Sequence, residues 1–396
     1  MKNESISVIN RLLLLPDISF FLFGPRGTGK STWLKQVLPD AVYFDLLDSA
    51  LYRELAQYPD RLEPMIGNPV KSNWVIIDEI QKVPVLLDEV HRLIETKKLR
   101  FALCGSSARK LRKGGVNLLG GRAITINLES FVFNELDKLF KLDHSIKWGT
   151  LPLIQFNTRE SANILDAYVN TYIKEEIKEE GIIRSLPPFL RFLEIAGLMN
   201  GQIINSLNIS REASIPRSTV DVYFSILQDS LLGHFLPAYK PKLKVREQTH
   251  PKFYWFDPGI ARAAAKLLFE PIDRIWAGIS LETLIYHELR VYNQARNKHR
   301  QIYYYRTQDG VEIDFVIETR KQTQSSLPEV VCIEVKSTDK WHNIYEKPLH
   351  SMIQSNKIKV KHAFCVYKGD RAYYYNNLTV LPVTEFLEWL YQDKIF

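Results

Sequence analysis

The chain reads as α/β. A parallel sheet with a phosphate-cradling loop comes first, then a helical and winged-helix region, then a small α/β domain. Three observations predict this. Gly24-Pro25-Arg26-Gly27-Thr28-Gly29-Lys30-Ser31 fits the pattern G-x-x-x-x-G-K-[ST]. Apolar runs separated by helical patterns follow it, which implies a parallel sheet with phosphate at the strand C-termini. Further on, three helical patterns precede an extended one, and a later helix precedes strands that carry acids. The expected division is 1–135, 136–245 and 246–396.

Composition narrows the class. A chain of 396 residues has room for two to three domains. The net charge of +7 leans toward an acidic partner such as nucleic acid, and a solvated basic surface explains it equally well. Cys104, Cys332 and Cys365 form no C-x-x-C pair, which argues against a zinc knuckle or disulfide framework and for a reducing compartment. Leu12-Leu13-Leu14-Leu15 is too short for a signal segment, and no apolar run spans a bilayer. The expectation is a cytoplasmic protein with no membrane partner.

Residues 4–15 read as a short amphipathic helix ending near Pro16. Ile18-Ser19-Phe20-Phe21-Leu22-Phe23 is apolar and reads as a buried strand leading into the loop. The loop glycines let the backbone curl until successive N–H groups face phosphate oxygens. Lys30 brings a compact charge to the β- and γ-phosphates, and the Ser31 hydroxyl suits Mg²⁺. Residues 32–38 read as a helix stopping before Pro39, its positive end on the same anion. Gly24, Pro25, Arg26, Gly27, Thr28, Gly29, Lys30, Ser31 and Thr32 are the expected nucleotide-binding residues.

Residues 41–45 form a second strand pattern, and residues 74–77 a third that runs into Asp78-Glu79. A buried strand there carries Asp78 to the metal that Ser31 touches, and Glu79 polarises the attacking water. Residues 100–107 are another strand, whose Ser106 and Ser107 can reach water or γ-phosphate, or simply mark a strand exit. Basic glycine-bearing loops follow. Arg122, then Arg109, are candidates to act on a neighbouring subunit's γ-phosphate, although a surface role explains each taken alone. No N-K-x-D guanine signature is present, so adenine is preferred.

From Leu128 the pattern turns helical, and the dense Lys/Glu of residues 164–180 reads as a solvated face. Helices are expected at 189–197, 203–207 and 217–227, with extended chain at 231–239. That is the winged-helix order, which serves either DNA contact or protein packing. Lys240, Lys242, Lys244 and Arg246 alternate afterwards, as a phosphate-contacting wing or a protected edge. Phe253-Tyr254-Trp255-Phe256 is a strand, with Asp257-Pro258 capping the next helix.

The last part has a helix at 280–290 and strands at 302–306, 311–317 and 330–336. Strand alternation puts Glu334 and Lys336 on one face. Glu282, Asp314, Glu334 and Lys336 together have the order of a metal-dependent nuclease site, or of alternating charges on a solvent face.

These residues together resemble prokaryotic AAA+-type P-loop ATPases whose C-terminal half is a domain of unknown function related to restriction-endonuclease-like folds. The carriers are residues 23–32, 75–82, 105–111 and 121–122, then 256–259, 310–316 and 333–336. The resemblance implies ATP and Mg²⁺ at the loop with Asp78 and Glu79, a sensor at Ser106 or Ser107, and a nuclease-like quartet of Glu282, Asp314, Glu334 and Lys336. The expected function is ATP hydrolysis that drives conformational change on a nucleic-acid or protein partner, with homo-oligomers in view. An ATP-gated nuclease and a nucleotide-dependent recruiting switch are the alternatives.

Overall fold

A computed structural model describes residues 9–67, 72–106, 109, 111, 119–174, 186–240, 250–307, 310–324, 326–354 and 358–396. Five parallel strands form the first sheet: β1 (Phe20–Phe23), β2 (Val42–Asp45), β3 (Trp74–Asp78), β4 (Arg100–Gly105) and β5 (Ile124–Asn127), in the order β2-β3-β4-β1-β5. Alternation splits their side chains between two cores. Phe21, Phe23, Val75, Ile77, Phe101 and Leu103 pack with Leu86, Val90 and Leu93 of helix Leu86–Lys97. Phe20, Leu22, Trp74, Ile76 and Ala102 pack with Trp33 and Leu34 of helix Lys30–Val37. Both faces are covered, as a parallel sheet requires. The C-terminal ends of β1, β3 and β4 therefore lie side by side at one edge.

The expected helix at 4–15 does not form where the chain is described. Residues 9–15 are non-helical, and residues 1–8 lie outside the described set. Tertiary partners satisfy this segment instead: the Leu12 N–H donates to Glu135 Oε1 at 2.8 Å, and the Arg11 guanidinium donates to three carbonyls. Strand β5 had no clear sequence signal, because it is short and its first residues are exposed.

In the middle part, helix Leu186–Leu198 leads to β6 (Gln202–Ile203), helices Ser206–Ala213 and Arg217–Asp229, then β7 (Gly233–Leu236) and β8 (Lys252–Trp255). The three strands pair antiparallel in the order β6-β8-β7. Phe189, Phe192, Tyr223, Phe224 and Phe253 form one aromatic core with helix Pro258–Ala264. The expected boundary at 245/246 thus cuts through this unit, because β8 supplies its central strand. Residues 164–180 were expected to be helical; helix Ser161–Ala167 continues as a π-helical stretch, Tyr168–Ile173. Lys242, Lys244 and Arg246 lie outside the described residues, as do 175–180.

Helix Arg274–Ala295, capped by Asp273, packs on a six-stranded mixed sheet. Its strands are β9 (Gln301–Arg306), β10 (Glu312–Arg320), β11 (Glu329–Lys336), β12 (Lys359–Tyr367), β13 (Tyr373–Tyr374) and β14 (Leu378–Pro382), in the order β13-β14-β12-β11-β10-β9. Only β9, β10 and β11 had been read from sequence. The chain after β7 also pairs with β9: Tyr239 N–H donates to the Tyr304 carbonyl at 2.6 Å. No described helix is long and apolar enough to cross a membrane.

Candidate functional site

The loop between β1 and helix Lys30–Val37 is built on close backbone approach. A Cβ at Gly24 would fall 2.1 Å from the Leu128 carbonyl oxygen, so no side chain fits there. Gly27 and Gly29 adopt φ 78° and 88°, the left-handed region that glycine takes without strain. Thr28 Oγ1 donates to the Pro25 carbonyl at 2.9 Å, and buried Lys30 Nζ donates to the Gly24 and Pro25 carbonyls at 2.7 and 3.0 Å. Tyr168 hydroxyl donates to the Arg26 carbonyl at 2.9 Å, and the Arg26 guanidinium lies 5.3 Å from the Tyr172 ring centre. Arg11 donates to the Thr28 carbonyl at 2.8 Å from the opposite side and forms a buried ion pair with Glu135.

Asp78 ends β3 beside this loop. Its Oδ2 accepts from Ser31 Oγ at 2.5 Å and from the Tyr43 hydroxyl at 2.6 Å. Burial and then the Asp78 bond hold the Tyr43 hydroxyl well above the ordinary phenol range, so it stays a donor. A hydroxyl and a carboxylate in contact are the hard oxygen donors that Mg²⁺ prefers. The donor set fits that ion. Glu79 follows in left-handed backbone, φ 58°, and accepts from Gln81 Nε2. Ser106 is buried just past the end of β4, while Ser107 lies outside the described residues.

The two candidate arginines each have an acidic partner. Arg122 pairs with Glu95 on the surface. It precedes β5, whose Ile124 lies opposite Phe20, so it sits at the sheet edge away from the loop. Arg109 pairs with Asp229 and reaches Ser225 Oγ at 3.4 Å, both on helix Arg217–Asp229.

At the far end the four nuclease-like candidates do come together. Val335 N–H donates to Asp314 Oδ2 at 2.8 Å, and Lys336 Nζ pairs with Glu334 and stands 4.0 Å from Asp314. Burial, then the Asp314 charge, push Glu282 up to about 7 and Glu334 up to about 8. Two residues that sequence reasoning missed complete the cluster. Lys252 Nζ bonds Glu282 Oε1 at 3.1 Å and Glu312 Oε1 at 2.6 Å, and Tyr254 hydroxyl donates to Glu282. Both come from β8 in the middle part. The available signal was a lysine opening an all-aromatic strand, which must find a counter-charge once buried. Among the described residues, no group of three His, Cys, Asp or Glu side chains is placed to hold a metal ion.

A second missed cluster joins all three parts. Glu129, just past β5, pairs with Arg290 at 3.0 Å, and the rings of His287 and of His234, which burial keeps neutral, stand 3.6 and 3.9 Å from it. Burial opposes its charge, but Arg290 and the histidines outweigh it and hold the carboxyl well below its ordinary range.

A strand, a glycine-rich phosphate loop, a helix and a strand-end Asp-Glu pair define a P-loop nucleotide-binding domain. Residues 18–137 match the family model of an AAA domain. Residues 140–270 match a domain of unknown function (DUF8612), and residues 277–386 match another (DUF4143). No curated protein matches the chain. Solved structures similar to it include the replication initiator DnaA bound to AMPPCP and single-stranded DNA, at 14% identity and TM-score 0.26, covering 53% of this chain and 82% of that one. A signal-transduction ATPase with numerous domains and a tetratricopeptide-repeat sensor, from Pyrococcus horikoshii, is 11% identical with TM-score 0.23 and coverages of 71% and 46%. The Drosophila origin recognition complex bound to DNA gives 11%, 0.25, 64% and 90%. Likenesses this distant carry no argument about activity.

Proposed function

We propose that the chain is a Mg²⁺-dependent ATPase whose hydrolysis changes how its middle and C-terminal parts sit on a nucleic-acid or protein partner. The observation that carries this reading is the contact of Ser31 with Asp78 at the mouth of the loop, with Lys30 and Glu79 on either side. Ser31 and Asp78 would hold Mg²⁺, which would supply positive charge against the charge developing on the phosphates. Loop amides and Lys30 would hold the phosphates, and Glu79 would take a proton from the attacking water. Adenine is the proposed base. Lys30→Ala should abolish phosphate release in magnesium buffer, and Glu79→Gln should retain nucleotide but stop turnover. Normal turnover by Lys30→Ala refutes the assignment.

The helix–strand–helix–helix–strand–strand order of the middle part supports a winged-helix reading and DNA as one partner. Arg109 and Arg122 remain proposals for action across a homo-oligomer, for which each would have to leave its present acidic partner. Three buried free cysteines agree with a reducing, cytoplasmic setting.

The convergence of Glu282, Asp314, Glu334 and Lys336 favours a second reading, a restriction-endonuclease-like site that cuts phosphodiesters. Lys252 weighs against an active one, since its ammonium occupies Glu282, a carboxylate that a metal ion would need. Incubation of wild type and Lys336→Ala with linear and branched DNA separates the two. Cleavage by wild type alone supports a working site, and no cleavage by either supports a scaffold.

A further inference from the structure

Gln81 lies in the short helical turn Ile80–Lys82 that follows Glu79. Glu79 is a non-glycine residue in left-handed backbone, a conformation that costs on the order of 1 kcal/mol and persists where its surroundings hold it. The turn is closed by Lys82 N–H donating to the Glu79 carbonyl at 2.9 Å, which brings the Gln81 side chain back beside the Glu79 carboxylate. An ionised carboxylate only accepts, so the Gln81 NH₂ must face Glu79. The amide carbonyl then points the other way. That oxygen, Oε1, is buried and has no hydrogen-bond partner among the described residues. It lies over the tip of β4, where a Cβ at Gly105 would fall 2.4 Å from it. Gly105 is registered against Phe23, the last residue before the phosphate loop, and is followed by Ser106. A buried acceptor left unpaired at this edge is costly unless something in the working complex donates to it.

We infer that Gln81 is a positioning residue for hydrolysis: its NH₂ holds the Glu79 carboxylate, and its carbonyl oxygen accepts a hydrogen bond from the attacking water. The inference rests on the ATPase reading above. The water oxygen forms a bond to the γ-phosphorus, and the bond from that phosphorus to the β–γ bridging oxygen breaks. The electron pair stays on ADP, and the water proton goes to Glu79. Gln81 gains and loses nothing; it fixes the directions of base and nucleophile. Gly105 is glycine because a methyl there would occupy the amide's place.

Steady-state hydrolysis with full-length protein, over a range of ATP and pH, tests this. Gln81→Ala should lower kcat by about 100-fold with KM for ATP unchanged, the scale of a misdirected general base. Gln81→Glu places a like charge beside Glu79 and should move the acid limb of the kcat profile to higher pH, a change that a purely structural role does not produce. Gly105→Ala should lower kcat in the wild-type background but have no further effect on Gln81→Ala, because the clash is with the amide itself. Unchanged kcat in Gln81→Ala overturns the inference, as does a full Gly105→Ala effect in that background. Absence of any turnover in wild type removes the hydrolysis reading and this role together. Turnover that depends on Lys30 but ignores Gln81 removes this role alone.

Discussion

Replacing Lys252 by methionine keeps most of the side-chain length and deletes the charge. The lysine side chain is 4% exposed and is held by Glu282 at 3.1 Å and Glu312 at 2.6 Å, whose side chains are 19% and 30% exposed. Breaking one side of a buried ion pair costs roughly 3–5 kcal/mol, because the remaining charge is uncompensated. Water can reach Glu312 in part, so the low end applies: the loss should be about 3 kcal/mol near neutral pH. Urea unfolding followed by circular dichroism measures it. The pH dependence gives a sharper check. Burial and the Asp314 charge hold Glu282 at about 7, above its ordinary 4.5. A carboxyl raised in the folded state contributes stability that is complete below its unfolded value and lost as pH rises through the folded one. Without Lys252 the folded value climbs further, so a proton replaces the missing ammonium as pH falls. The loss should therefore be clearly smaller at about pH 5.5 than at about pH 8. Adding Glu282→Gln to Lys252→Met should restore much of the stability at the higher pH. An equal loss at both pH values, or a loss under about 1 kcal/mol, would refute the reasoning.

Two further outcomes follow from buried acids. Glu288 is fully buried and accepts from Phe133 N–H at 2.7 Å and the Tyr391 hydroxyl at 2.5 Å. Burial raises it from 4.5 to about 7, so it stabilises at low pH and stops doing so as pH rises toward 7. Glu288→Gln should flatten the fall of the unfolding free energy from urea titrations across that window by up to about 3 kcal/mol relative to wild type. Asp257 accepts from Thr150 N–H and Gly259 N–H at 2.8 Å each and from Ile260 N–H at 3.3 Å, all in the core. Asp257→Ala leaves these donors unpaired and should cost about 3 kcal/mol in the same unfolding assay, with the nucleotide loop unaffected at low urea.

The loop was legible because its chemistry is local. Glycine spacing, a lysine and a following hydroxyl act within eight consecutive residues, and flanking apolar runs announce the strand and helix that aim them. Asp78 and Glu79 were legible for a similar reason, since an apolar strand that ends in acids places them at the same sheet edge. Gln81 was visible as part of that motif but had no role, because its function depends on which way an amide faces across to Gly105.

Primary structure alone therefore determined the nucleotide loop, its acidic partner strand, the three-helix order of the middle part and the three acids and one lysine of the far end. Tertiary packing alone decided that Lys252 and Tyr254 cross from β8 into that far cluster, and that Glu129 gathers His234, His287 and Arg290 from two other parts of the chain. It also turned residues 9–15 from part of an expected helix into a strap, because Arg11 found carbonyls and Glu135 more than a hundred residues away. Periodicity reports which face of an element is apolar. It carries no information on which distant charge will neutralise a buried one, since that is set by desolvation and distance only after the elements have packed.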